Sequence, residues 1–186
     1  MIDCKLAPTP MECQRHFIDT SSPFLADPTQ YRRHIGRLMY LTVTGPDLCF
    51  TVNCLSQFMH DPKQEHLDAA LRVVCYLKGT SSSSIFMAAQ NDFILRGFCD
   101  SDLANCPLTQ RSTTGYITML GNSPISWKTK KQHTVSCSFT EAEYRAMAGT
   151  TSELLWLKRL LAELTISVMP YLYIVTVRLP YTSQQI

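Results

Sequence analysis

The spacing of apolar residues changes near the serine run 81–84, and this change constrains the fold of the 186-residue chain more than any other feature. Before the run, apolar side chains recur every three or four residues, as in amphipathic helices. After it they alternate as in strands, until a second helical stretch covers about 140–164. Helices followed by strands and a long helix predict a fold of the α+β class.

Three short helices are predicted over residues 28–80, which form one helical domain. The first begins at an Asp-Pro pair, since Asp can cap a helix and Pro suits its first position. The second covers about 47–60, and the third ends at Gly79, a residue type that commonly follows the last helical turn. His60 and His66 lie near the start of the third helix and are predicted to be surface residues.

The other predicted divisions follow from composition and period. The first 27 residues are rich in Pro, Ser and Thr and are predicted to form an extended lead-in. Residues 81–92 are predicted to hold a linker and one strand, over 85–88. Three further strands are predicted, over 93–99, 116–120 and 125–130. Together with the long helix, these three strands make a partial domain over 93–164.

Composition and charge exclude several classes of protein. Apolar residues make up 45% of the chain, enough to build a core and to argue against disorder. A formal charge of +2 excludes a histone-like basic protein. No apolar run could span a membrane and the N-terminal residues lack the apolar region of a signal peptide, so we expect an intracellular protein of otherwise unknown location. The eight cysteines lack the spacings of a disulfide framework or a zinc site.

Two pairs of carboxylates are candidates for chemistry. Asp100 and Asp102 end a predicted strand and, two residues apart, point to the same face. Glu141 and Glu143 open the long helix. Carboxylate oxygens suit Mg²⁺, and paired Mg²⁺ ions can promote phosphodiester cleavage. The spacing alone favours a simpler interpretation, in which the glutamates cap the helix and the aspartates are loop acids.

Candidate nucleic-acid contacts fall in two other stretches. They are Arg111, Ser112 and Thr113 in a polar turn, and Trp127, Lys128, Lys130 and Lys131 in a predicted strand. Lysines and hydroxyls can bind phosphates, and the indole ring can stack on a base or sugar. The alternative is an ordinary turn and a solvated strand edge, where lysines discourage aggregation.

A close resemblance to the copia-type long-terminal-repeat retrotransposon Pol polyprotein is carried by three stretches in one order. They are YRRHIGRLMYLTVTGPD, GFCDSDLANCPLTQRSTTGY and TEAEYRAMAGTTSELLWLKRLL, and plant members are the most similar. The resemblance covers about residues 5–173. It implies that 1–80 correspond to the end of a reverse transcriptase beyond its palm, and 93–173 to the first half of a ribonuclease H domain. That domain folds as a mixed sheet with packed helices and cuts RNA in RNA–DNA hybrids with two Mg²⁺ ions.

The resemblance also implies site residues and partners. Asp100 in GFCDSD and Glu143, the second Glu of TEAEY, match metal ligands. Asp102 and Glu141 match family positions as neighbours of those ligands. The implied cofactor is Mg²⁺. The implied partners are an RNA–DNA hybrid or another nucleic acid and the remainder of the polyprotein, with no membrane.

The chain departs from the family after Tyr173. The family has a strand such as CDSQAALHIAAN there, whose Asp is the third metal ligand, whereas this chain reads IVTVRLPYTSQQI. One set of codons that encodes IVTVRLPYTSQQI also encodes CDSQAALHIAAN when it is read from its third base. We therefore expect 165–186 to be a truncated, frame-shifted tail that lacks the third and fourth carboxylates and leaves a sheet edge unpaired.

The expected function is that of an inactive polyprotein remnant, in which Asp100 and Glu143 hold Mg²⁺ weakly or not at all. Two alternatives stay open. In one, the chain retains cleavage of RNA–DNA hybrids or binding of nucleic acid. In the other, the helices of 28–79 serve as a domesticated interaction module.

Overall fold

The computed structural model describes residues 4–12, 21–89, 92–106, 108–168 and 173–176. The chain divides into two compact units, Met1–Ile85 and Phe86–Ile186. The first, here called the helical unit, contains α1 (Thr29–Leu41), a 3₁₀ turn (Pro46–Leu48), α2 (Cys49–Ser56) and α3 (Gln64–Gly79). The second, here called the sheet unit, contains β1 (Leu95–Asp102), β2 (Thr113–Leu120), β3 (Ser123–Lys131), α4 (Phe139–Glu163) and β4 (Tyr173–Thr176). The predicted α+β class is confirmed.

One apolar face of each helix builds the core of the helical unit. The buried residues of this core are Tyr31, Ile35, Leu38, Leu48, Val52, Leu55, Leu67, Ala69, Ala70 and Val73. Their spacing within each helix is the three- and four-residue repeat that the sequence shows. At the start of α1, the Asp27 carboxylate accepts a 2.8 Å hydrogen bond from the Thr29 N–H. Within the described residues, no helix combines the length and apolar character that a membrane span requires.

Tyr31 links α1 to α2 through a buried hydrogen bond. Its hydroxyl donates to the Leu55 carbonyl at 2.7 Å, and the side chain is fully buried. We expect Tyr31→Phe to lower the free energy of unfolding by about 1 kcal/mol, because the carbonyl keeps its bond from the Phe58 N–H. Urea denaturation measures the change. Tyr40→Phe, at a side chain that is 79% exposed, is the control, and equal losses in the two variants would contradict the prediction.

The second helix is shorter than predicted. Instead of covering 47–60, α2 follows the 3₁₀ turn and ends at Ser56. The chain then turns, and the Arg32 guanidinium donates to the carbonyl oxygens of Met59 at 2.7 Å and His60 at 3.1 Å. Because the helix ends before these carbonyl groups, they lack helical hydrogen bonds, and the Arg32 guanidinium satisfies them instead.

The surface position predicted for His66 is wrong. The residue is 2% exposed, and its ring stacks on Phe58 with 4.0 Å between ring centroids. Its Nδ1 atom accepts a 2.9 Å hydrogen bond from the Lys63 N–H at the start of α3. His66 therefore caps the helix and packs in the core at once.

The four strands form one mixed sheet in the order β3-β2-β1-β4. β2 is antiparallel to β1 and β3, whereas β4 is parallel to β1. The sheet is open, as expected, but β1 is paired on both sides, since the β-branched residues Ile174, Val175 and Thr176 favour a strand beside it. The rest of the predicted tail is described only over 165–168, and the predicted lead-in only over 4–12 and 21–27.

The predicted strand over 85–88 is also wrong. Those residues form no ladder, and Phe86 and Met87 are exposed by 81% and 60%. The Ala88 N–H instead donates to the Ser123 hydroxyl at 3.1 Å. The predicted strands leave a turn over 121–124, but the observed turn before β3 covers only 121–122. Gly121 at φ 57 allows the chain to reverse this tightly.

Candidate functional site

The two faces of the sheet present different sets of predicted site residues. α4 packs on one face, here called the inner face, where a Cβ added at Gly97 would lie 2.7 Å from Leu154 and 2.8 Å from Thr150. Side chains alternate along a strand, so the even-numbered residues of β1 point to the opposite, outer face. The half-buried and exposed positions of β1 are these even-numbered ones, which agrees with that assignment.

Asp100 and Asp102 lie on the outer face at the C-terminal end of β1. Asp100 is half-buried, and its Oδ1 atom accepts a 2.9 Å hydrogen bond from the Ser101 N–H. Burial, and then the charge of Asp100, raise the pKa of Asp102. The two carboxylates share one face of β1, and carboxylate oxygens are ligands that suit Mg²⁺.

The strand register brings further predicted residues to the outer face. Asp102 lies opposite Thr113, and Thr113 lies opposite Lys131. Trp127 shares this face two rows away. The ammonium group of Lys131 contacts another side chain, because it lies 2.7 Å from the sulfur of Cys106. The aspartates, Trp127 and Lys131 thus share one face, as a nucleic-acid contact would require.

The side chains of the polar turn before β2 are mostly buried. Ser112 is fully buried, and its hydroxyl accepts a 3.3 Å hydrogen bond from the Ala104 N–H. Thr113 is 8% exposed, whereas Arg111 is exposed. Of the three predicted contacts in this turn, only Arg111 presents its side chain to solvent.

The start of α4 is held by a cap. The Ser138 hydroxyl accepts a 3.1 Å hydrogen bond from the Glu141 N–H, and the Glu141 carboxylate accepts one of 2.8 Å from the Cys137 N–H. Arg145 also donates to that carboxylate at 2.8 Å. The Cys137 N–H first, and then Arg145, lower the pKa of Glu141. Glu141 therefore has the capping role that the simpler interpretation predicts.

Gln132 ties the start of α4 to the end of the sheet that carries the aspartates. Its side-chain nitrogen donates to the Thr114 hydroxyl at 3.0 Å and to the Ala142 carbonyl at 2.9 Å. Thr114 lies across from the end of β1, and Glu143 follows Ala142. Asp100 and Glu143 therefore lie at the same end of the sheet. In the described part of the chain, no three His, Cys, Asp or Glu side chains are grouped so that they could hold a metal ion.

A basic groove of about 510 Å³ lies between β3 and α4. Lys128 and Lys130 line it from β3, and Arg145 lines it from α4. Glu153 also lines it, and its carboxylate accepts a 2.7 Å hydrogen bond from the Ser126 hydroxyl. Lys131 also lines the groove, so all three lysines of the predicted run border it, and Lys128 and Lys130 share the inner face of β3.

Arg145, which lines the groove, and Cys106, which contacts Lys131, were not predicted from the sequence. Arg145 lies four residues after Glu141, so helical spacing could have indicated their ion pair. Its place in the groove depends on how α4 packs. Cys106 is 25 residues from Lys131, and no local pattern relates the two.

Three curated relatives are similar to the chain. The retrovirus-related Pol polyproteins from transposons RE1 and RE2 of Arabidopsis thaliana are each 46% identical over 166 residues, 89% of this chain. The chain spans 11% of the length of each polyprotein. An uncharacterized mitochondrial protein of the same plant is 42% identical over 156 residues, which cover 84% of this chain and 65% of that protein. No family model and no solved structure matches the chain.

Proposed function

The chain belongs to the family of retrovirus-related Pol polyproteins from transposons, and we propose that its sheet unit derives from the ribonuclease H domain of a copia-type member. The parent domain hydrolyses the RNA strand of an RNA–DNA hybrid with carboxylate-bound Mg²⁺ ions. This copy binds nucleic acid but does not cut it. The helical unit derives from the end of the reverse transcriptase.

The placement of Asp100 and Glu143 carries this proposal. β1 ends with Asp100 and Asp102, and the Gln132 hydrogen bonds bring the first turns of α4 to the same end of the sheet. The family resemblance implies the same arrangement for the first two metal ligands, one on a strand and one on a helix. Trp127 and Lys131 on the outer face supply a ring and a cation of the kinds that nucleic-acid binding uses.

The described carboxylates do not fit a pair of Mg²⁺ ions. No group of three or more candidate ligands exists among the residues that the structure describes. Val175 stands where the resemblance implies the third carboxylate, in a strand whose register sets it beside Phe98, two residues before Asp100. A valine side chain cannot bind a metal ion. With too few carboxylates, the attacking and leaving oxygens of a cleavage reaction cannot both be stabilised.

We expect the chain to bind a labelled RNA–DNA hybrid but to leave its RNA strand intact when Mg²⁺ is present, because the ligand set is too small. Native gels measure binding, and denaturing gels measure cleavage. Asp100→Asn is the matched control, since it removes one charge and keeps the side-chain shape. Cleavage that Asp100→Asn abolishes would contradict the loss of activity, and absence of hybrid binding would contradict the nucleic-acid role.

Val175→Asp extends this test to the missing third carboxylate. We expect it to bind Mg²⁺ more tightly than Val175→Asn, which has a similar shape without the charge. Isothermal titration calorimetry measures both affinities. Equal affinities would argue against the proposed ancestry of β4.

A further inference from the structure

We propose that the groove between β3 and α4 binds the phosphate backbone of a single nucleic-acid strand, along the line of Lys128 and Lys130. The groove lies on the inner side of the sheet, whereas Asp100 and Asp102 lie on the outer face. It is therefore a second site, and it rests on the proposed function only for the chemical class of the partner.

The charge of the groove suits a polyanion. Its lining includes one carboxylate and four basic side chains, those of Lys128, Lys130, Lys131 and Arg145. Of the four, Lys131 also contacts Cys106, and Arg145 forms an ion pair with Glu141. Lys128 and Lys130 are exposed, and neither forms an ion pair within the described residues. The one carboxylate, Glu153, is held by the Ser126 hydroxyl at 2.7 Å. The two exposed ammonium groups are therefore free to neutralise phosphates.

The geometry of β3 favours an extended strand as the occupant. Two residues along a strand span about 6.8 Å, which is close to the separation of successive phosphates in an extended nucleic-acid strand. Lys128 and Lys130 have this spacing on one face, and β3 is an edge of the sheet. Arg145, whose guanidinium is paired with Glu141, lies on the facing wall. A volume of about 510 Å³ admits a nucleotide-sized group.

Fluorescence anisotropy of a labelled oligothymidylate, with the full chain in EDTA, tests the proposal. We expect Lys128→Glu/Lys130→Glu to weaken binding at least about tenfold. The slope of log affinity against log salt should also fall by about 1.4, because each lost single-strand phosphate contact removes about 0.7 from the slope. The matched control is Lys158→Glu/Arg159→Glu, which reverses the same charge on exposed positions of α4 that do not line the groove. We expect this control to keep most of the affinity.

Further variants separate the groove from the outer face and from misfolding. A loss of single-strand binding in Asp100→Asn/Asp102→Asn, on the outer face, would argue against the groove as the binding site. Lys128→Gln/Lys130→Gln, with an unchanged thermal melting curve, should lose part of the affinity. Unchanged binding by both lysine variants would overturn the proposal, as would an equal loss in the α4 control. A loss confined to an RNA–DNA duplex would overturn it too, since the single strand would then bind elsewhere.

Discussion

Leu154→Ala is expected to lower the free energy of unfolding of the sheet unit by about 2–5 kcal/mol, the range typical of emptying a buried leucine site. Leu154 is fully buried and packs with Leu95, Leu157 and Leu161 between α4 and the inner face. Its side chain also lies against Gly97, where an added Cβ would come within 2.7 Å. Gly97 has no side chain that could fill the space left by the truncation.

Leu155→Ala is the matched control for this substitution. Leu155 follows Leu154 in α4 but is 45% exposed, so its truncation removes less buried surface. Urea denaturation followed by circular dichroism measures the loss of stability in both variants. Similar losses in the two variants would contradict the packing of α4 on β1 through Leu154.

The periodicity of the sequence predicted which elements form, because burial of one face imposes a repeat on each helix and strand. Tyr31, Ile35 and Leu38 keep helical spacing and all lie in the core of the helical unit. Periodicity did not predict that His66 is buried, because its hydrogen bond to Lys63 and its stacking on Phe58 depend on tertiary packing. Residues 85–88 have strand-like composition but form no backbone ladder with the described strands, and a ladder is what makes a strand.

The candidate site was predictable by residue type more than by arrangement. The two-residue spacing of Asp100 and Asp102 correctly indicated a shared face. The lysine run, in contrast, gave no sign that Lys128, Lys130 and Lys131 all line a groove, or that Lys131 also approaches Cys106. Whether a lysine of β3 borders a groove depends on the position of α4, which the local sequence does not specify. The roles of these residues in nucleic-acid binding and metal binding remain predictions for the experiments above.

Cys106 is expected to react with iodoacetamide with a pH midpoint near 7, unlike an ordinary cysteine. Burial raises the pKa of its thiol, but hydrogen bonds from Lys131 and Thr109 and the charge of Lys131 outweigh burial and bring the pKa to about 7. Above this pH the thiolate predominates, and the thiolate is the form that displaces iodide. Lys131→Met should move the midpoint upward by more than about one unit, and thus lower the thiolate fraction at pH 7 by about tenfold or more.

Mass spectrometry of the Cys106 peptide over a pH series measures this midpoint independently of how slowly the reagent reaches a side chain that is 6% exposed. Limited access scales the rate equally at every pH, whereas loss of the Lys131 charge changes the pH at which the rate rises. Lys130→Met is the matched control, because it removes a neighbouring charge and leaves the 2.7 Å contact between Lys131 and Cys106 in place. A midpoint near 8.5 in the unsubstituted chain, or equal shifts in both variants, would show that Lys131 does not stabilise the thiolate. A shift confined to Lys131→Met would instead mean that the Lys131 ammonium is already shared with sulfur, which leaves Lys128 and Lys130 as the strand cations available to phosphate.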